Sequence, residues 1–445
     1  MKRRLLEGIF LILLASCGDS DSTDAAVVDA AELDAEADAA EADAAELDVA
    51  DVARVDPGFV DPSTLGLEVD PPGRWLRGDF HVHATGASND TGGDSTPEAI
   101  KRVAMERGLF FVVLTDHSNS TGSDVTMTEE NPELFNQGPE FPFWDRASEL
   151  SEAGVFLMVD GNEISPVGVG DPPSTPSGHI GCIPMNLDTF DRSGSFIDRP
   201  RGEVSGRDAL DQANARSCFS IVNHPYAFAP WIAFDWSVGE PGWEYQGVEV
   251  WNGTLGFGQD DQRALDLWRC DLLAGRNVAA IAASDNHRVN TDIPGMLTDP
   301  ALGYPSTEVF AEEPTWAGIM AGLRAGRTQF SEGATRIEMD GYSTEGERTR
   351  GGNLHTIRLR GSLDEAVSSG TLRVTRANSC IDARPLNDPP VIDETVLLEY
   401  ELRAGESLDV GFLISDLAPG VYLASLVPAS GRFAAYSAPL VVPFP

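Results

Sequence analysis

Basic residues are scarce in this 445-residue chain: 31 lysines and arginines stand against 71 acidic residues, for a formal net charge of −40. A field of that sign repels polyanions, so nucleic acid is not an expected partner. A small anionic substrate stays compatible with it if the local charge of a metal outweighs the global field at close range. Long apolar runs are missing too. The run Gly8–Leu14 is too short to span a bilayer, and no later stretch is long and apolar enough to do so. Cysteine is sparse, with five in all, and none recurs at the spacing of a structural thiolate zinc site. What the chain does hold is 42% hydrophobic residues, enough for a real core, in a length that suits two or three domains.

The N-terminus reads as an export signal over residues 1–17, with Lys2, Arg3 and Arg4 ahead of the apolar run. Leu14-Ala15-Ser16-Cys17 resembles the bacterial lipobox, which makes Cys17 the expected lipid tether; an ordinary secretory signal with an incidental cysteine is the alternative. Residues 18–70 are low-complexity. Between Asp19 and Asp61 fifteen acidic residues meet one basic residue, Arg54, and the Ala-Asp-Ala-Ala-Glu repeats offer no sizeable apolar face. This is the composition of a solvated linker. The expectation is an exported protein anchored in the cell envelope, on the periplasmic or outer-membrane face. Cys182, Cys218, Cys270 and Cys380 remain, with three possible full pairings. One bridge within the central part, or structural thiols, are both open.

From 71 to 335 apolar runs alternate with helical patterns. Strands are expected at Asp79–His83, Leu109–Thr115, Val155–Asp160, Cys218–Val222, Gly247–Trp251 and Val278–Ala283. Helices are expected at Thr96–Arg107, with Pro97 in its first turn, at Asp208–Arg216 and at Asp260–Ala274. Strand–helix alternation of this length points to an α/β fold, either a parallel sheet or a single (β/α) barrel. From 336 to 445 the runs are short, β-rich and separated by turn signals, the pattern of a β-sandwich. That second part holds no cluster of residues that suggests chemistry.

Histidine gives the chemistry away. A strand that ends in His81-Val82-His83 puts two imidazoles on one side, because strand side chains alternate with period two. Alone, that is either a pair of metal ligands or a hydrogen-bonded structural pair. Asp116-His117 follows the second apolar run and Gly161-Asn162-Glu163 the third. A Pro- and Gly-rich loop carries Ser177-Gly178-His179. Asn223-His224-Pro225 and Ser284-Asp285-Asn286-His287 follow two further runs. Six of the seven histidines thus fall at strand ends, where barrel enzymes place their sites. Imidazole mixed with carboxylate suits zinc, manganese or iron.

The order His-x-His, Asp-His, Glu, His, His-Pro, Ser-Asp-x-His resembles the polymerase-and-histidinol-phosphatase (PHP) family. Glu249-Val250-Trp251-Asn252-Gly253 and Ala274-Gly275-Arg276 strengthen the likeness. Arg324-Ala325-Gly326-Arg327, then Ser331-Glu332-Gly333 and a β-domain, look like its exported CehA/McbA branch. The resemblance covers roughly residues 75–335. It implies a distorted (β/α)7 TIM-like barrel followed by a C-terminal β-sandwich, and two or three divalent metal ions.

Carried over residue by residue, it makes His81, His83 and Asp285 ligands of a first metal. Glu163 bridges to a second, held by His179 and His224. His117 and His287 bind a third. The family's remaining acidic ligand stands a few residues after His-x-His, whereas here Asp90 lies seven residues after His83. Asp79 and Asp116 are expected to orient imidazoles. Glu163, Asp285 and Arg288 form the expected catalytic set, with Arg288 reaching either a substrate phosphate or an acidic neighbour. Cys182 is expected to be structural.

The implied activity is metal-dependent hydrolysis of a small phosphoester. A carbamate, carboxyl-ester or amide hydrolase using the same site is the alternative, favoured by the aromatic stretch Tyr226–Trp236. A non-catalytic surface binding protein on a metal-stabilised barrel is the third reading.

Overall fold

The computed structural model describes residues 59–444 except 69, 71, 89–90, 92, 118–139, 165–177, 194–205, 228–243, 254–256, 291–299, 351–352, 382–389, 415–417 and 431–433. The expected leader, Cys17, most of the acidic linker and Asp90 lie outside the described residues. So do Phe228, Trp231, Phe234 and Trp236.

β1 (Arg74–Val82), β2 (Phe111–Leu114) and β3 (Leu157–Asp160) run parallel to one another. α1 (Pro97–Glu106) connects the first two, and α2 (Trp144–Leu150) precedes the third. α1 starts where its sequence says it should: Thr96 accepts a hydrogen bond from the Ala99 amide, and Pro97 takes the first helical position. Its inner face, Ile100, Val103 and Ala104, packs into one apolar cluster with Leu114 and Phe156.

A second sheet holds β4 (Asn162–Ile164), β5 (His179–Pro184), β6 (Cys218–Asn223), β7 (Gly247–Asn252) and β8 (Ala279–Ala283), in that order. α3 (Gly206–Ala215) precedes β6, and α4 (Gln259–Leu273) links β7 to β8. β6, β7 and β8 are parallel and almost wholly buried, which is why they read as unbroken apolar runs.

The described strands do not close into one continuous barrel ladder. The two parallel runs meet only at single bridges, Val82 with Asn286 and His117 with Glu163. β1 takes an antiparallel partner, β9 (Ser306–Ala311), on the edge away from β2, and β5 is antiparallel to both β4 and β6.

β9 pairs with β10 (Thr328–Ser331) across α5 (Trp316–Arg324). Beyond it come β11 (Arg336–Tyr342), β12 (Arg348–Thr349), β13 (Thr356–Ser362), β14 (Ser369–Ile381), β15 (Val391–Arg403), β16 (Ser407–Leu413), β17 (Gly420–Pro428), β18 (Ala435–Tyr436) and β19 (Leu440–Val442). β12, β11, β13 and β16 form one sheet, while β15, β14 and β17 extend another. Ile337, Leu359, Leu372, Val374, Tyr422 and Leu426 fill the space between them, as in a two-sheet sandwich. β18 pairs with β10, so one ten-stranded sheet runs from β15 through β10 and β1 to β3. That sheet thus holds strands from both sides of residue 335, and Asp56–Pro445 is one compact unit.

Two disulfides replace the single bridge or free thiols of the sequence reading. Cys182–Cys218 ties adjacent strands β5 and β6, which accounts for Cys182 without any ligand role. Cys270–Cys380 joins α4 to β14, beside an ion pair of Arg269 with Glu394 at 2.6 Å.

Candidate metal centre

Six histidines, Glu163 and Asp285 converge at one end of the two parallel runs. β1 delivers His81 and His83. Asp116 and His117 follow β2, and Glu163 sits in β4. His224 follows β6, while Asp285 and His287 follow β8. His179, expected on a loop, is the first residue of β5. Because β5 is antiparallel to β6, its start lies beside the end of β6, with His179 opposite Asn223. The backbone at two of these positions is forced: His224 has φ 28° and Asp285 φ 54°, a region that non-glycine residues rarely adopt. Such strain is held where the surrounding structure over-determines it, commonly at functional sites.

Glu163 is the hub. Its Oε1 lies 3.2 Å from His81 Nε2, 3.0 Å from His179 Nδ1 and 3.1 Å from His224 Nε2, and its Oε2 lies 3.1 Å from His117 Nδ1. Asn223 Nδ2 donates to Oε1 at 2.9 Å. Asp285 Oδ1 stands 3.2 Å from both His81 Nε2 and His83 Nε2, and Asn252 donates to its Oδ2 at 3.2 Å. The ring of His287 stacks on that of His83, with centroids 4.0 Å apart.

The tautomers follow from the outer partners. His81 Nδ1 lies 3.2 Å from Glu249 Oε1; an ionised carboxylate only accepts, so the ring proton sits on Nδ1. Ser88 has one proton and directs it to Asp116 Oδ1 at 2.9 Å. Its oxygen therefore accepts from His83 Nδ1, at 2.9 Å, and from the His117 amide. His83 Nε2 is then a bare lone pair, 3.1 Å from His81 Nε2. Burial would lower His81, but the charges of Asp285, Glu163 and Glu249 raise it well above its usual range, so its Nε2 holds a cation, proton or metal ion, against the two inner carboxylates. Two inner ring nitrogens facing each other at that distance beside two carboxylates form an arrangement that suits a shared cation. The donors also gather in threes within 4.8 Å: His81, His83 and Glu163; His81, His224 and Asp285; His117, Glu163 and His179; His83, His117 and His287. Nitrogen and carboxylate donors, buried and converging, fit divalent metal ions.

Electrostatics point the same way. Burial would push Glu163 and Asp285 up, but the surrounding imidazoles, His179 and His81 foremost for Glu163 and His81 for Asp285, hold both carboxylates well below their usual range. Burial, then the neighbouring His287, pulls His83 down to about 3, so its ring is neutral, as a ligand must be. Burial raises Asp79 to about 6 and Asp116 to about 7, against hydrogen bonds that oppose it.

Asp79 fixes main chain rather than rings, accepting from the His81, Ser284 and Gly303 amides. Asp116 acts on His83 through Ser88. Arg288 follows His287 and is exposed. The residues that sequence reading gave no role are Glu249, Ser88, Asn223 and Asn252. Glu249 carried a signal, since a carboxylate between Val248 and Val250 breaks an otherwise apolar buried strand.

No family model and no curated protein matches the chain. Among solved structures it is similar to a two-domain protein from Bacteroides vulgatus described as containing a predicted PHP-like metal-dependent phosphoesterase, at 18% identity and TM-score 0.42, over 83% of this chain and 97% of that one. It is also similar to a lesion-specific endonuclease Q from Pyrococcus furiosus, at 15% and 0.36, over 57% and 56%. A third is PsfC from Pseudomonas syringae, at 14% and 0.32, over 53% and 82%.

Proposed function

We propose that this protein is a PHP-type metal-dependent phosphoesterase. The observation that carries the reading is the facing pair of inner ring nitrogens on His81 and His83, closed around by Glu163 and Asp285. His81, His83, Glu163, Asp285, His179, His224, His117 and His287 would hold two or three divalent ions. Such ions supply Lewis acidity and an activated water at neutral pH.

The chain's own residues set the rest. Glu163, 1% exposed, touches four rings and fixes their relative positions. Glu249 and Ser88 hold the protons of His81 and His83 on the outer nitrogens, so the inner ones stay available. The side chains of Asp285, His287 and His117 keep 22%, 19% and 12% of their surface open, while His81 and His83 are closed off. A small ester therefore approaches, and its leaving group departs, on the Asp285–His287 side. Arg288 would meet substrate there, with Asp90 a further ligand. Export and lipidation at Cys17 belong to the same proposal.

Turnover of nitrophenyl phosphate and bis-nitrophenyl phosphate by the full chain tests it. Hydrolysis lost on chelation, and reduced about 1,000-fold or more by His83→Ala, is the expected result. Unchanged turnover in that variant contradicts it. Preference for nitrophenyl acetate or a naphthyl carbamate would transfer the site to the ester and carbamate chemistry.

A further inference from the structure

A second cleft, of about 710 Å³, opens at the opposite end of β1. Trp75 stands on its wall, six strand positions before His81 and hence roughly 20 Å from the metal ligands. The size is that of a small-molecule site. Its walls come from both parts of the protein: the start of β1, the end of β9 and the turn before β10 on one side, and β11, β12 and β13 on the other.

Of the lining charges, Arg74 lies over the Phe110 ring at 5.2 Å and donates to the Gly154 carbonyl at 3.4 Å; the rest divide into two groups. Asp70, Glu338 and Asp340 are taken up by two arginines. Arg348 pairs with Asp70 at 2.6 Å and Asp340 at 2.9 Å; Arg360 pairs with Asp70, Asp340 and Glu338 at 2.6, 2.6 and 2.9 Å. Glu68 accepts from the Arg348 amide. Arg327 and Arg350 are not spent in this way. Arg350 makes no ion pair among the described residues, and its Nη1 donates to the carbonyls of Ala325 and Gly326. Among the described residues Arg327 pairs only with the exposed Glu312, at 3.7 Å, and it lies over the Phe310 ring at 5.3 Å. Phe310 in turn meets Trp75 edge-on, with centroids 5.5 Å apart. Burial, then the nearby charge of Arg327, pulls Arg350 down to about 10, against the pull of Asp340. An oxyanion beside both guanidiniums would relieve that crowding.

We propose that Arg327 and Arg350, with Trp75 and Phe310 beside them, form a binding site for a small acid carried on a flat body, either a carboxylate or a phosphate. The site is independent of the metal centre and gives the β-rich part a role, since Arg350 comes from that part and Arg327 from the other.

The test is calorimetry on the full-length His83→Ala protein kept in chelator, so that the metal centre contributes nothing. The probes are benzoate and phenyl phosphate, which separate the two sources of the anion. One site per chain is expected for at least one probe, weakened about tenfold or more by Arg350→Gln and by Arg327→Gln. Arg350→Lys, which can still reach the two carbonyls, should bind more tightly than Arg350→Gln. Trp75→Leu should weaken the aromatic probes and leave acetate or inorganic phosphate unchanged. Urea midpoints matched to the parent show that each variant is folded. Two results overturn the proposal: no binding of either probe up to about 10 mM, or binding that both arginine-to-glutamine variants leave intact.

Discussion

Glu163 and Glu249 bring the same charge into neighbouring buried space, and their partners give them different work. Glu163 faces four rings from the inside, whereas Glu249 holds the outer nitrogen of His81 and accepts the His224 amide at 2.7 Å. A carboxylate in the second position fixes a ligand's tautomer and raises its basicity. Glu249→Gln should accordingly lower metal affinity by about 10- to 100-fold, read by competition against a chelator. A fall in melting temperature with affinity unchanged would contradict that role and leave Glu249 as mere packing. His81 and His83 were legible in the sequence because period-two alternation fixes their side. Ser88, Asn223 and Asn252 were not, because each earns its place through contact with another segment: Ser88 with Asp116, Asn223 with Glu163, Asn252 with Asp285.

At the scale of elements, the end of β7 and the loop after β8 hold each other in place. A Cβ on Gly253 would lie 1.9 Å from the Ser284 carbonyl oxygen, so no larger residue fits without moving the loop that carries Asp285. Gly253→Ala should therefore weaken metal binding and activity together while the far sandwich stays folded; an alanine variant with parental metal affinity would refute the coupling.

The first turn of α4 holds the other side of the same junction. Asp261 accepts from the Gly258 amide at 2.7 Å and the Asn252 amide at 3.2 Å. Burial holds its carboxyl up at about 7, against an ordinary value of 3.8. Between those values the folded protein keeps a proton that the unfolded chain releases. The group's stabilising contribution is thus full below about pH 4 and lost as pH rises to about 7. Asp261→Asn removes that dependence, so the melting temperature of the variant minus that of the parent should climb between about pH 4 and 7 and then level off. A flat difference would contradict it.

The six strands and three helices expected between 71 and 335 all form, because each carries a clear apolar run or helical pattern. β4, β5, β9, β10, α2 and α5 were missed. β5 follows a Pro- and Gly-rich stretch that masks its start, and β9 and β10 mix buried polar residues such as Thr307, Glu308 and Gln329 into their runs.

Across the whole molecule, the sequence marks a change of pattern near 335 but not what spans it. β18 on β10, Cys270–Cys380 and Arg269–Glu394 are long-range pairings between segments whose local patterns do not name their partners. Strand direction is hidden in the same way: alternation of strands and helices does not encode it, and β5 and β9 run antiparallel to their neighbours.

The central claim is that eight buried or half-buried side chains, drawn from six segments of the chain, assemble one polynuclear metal centre. Elemental analysis of the full chain, purified without chelators, tests it most directly. About two or three zinc, manganese or iron ions per chain, falling to about one or none in Glu163→Ala, is the result this account predicts. About one ion or none in the parent, even after incubation with all three metals, would contradict it.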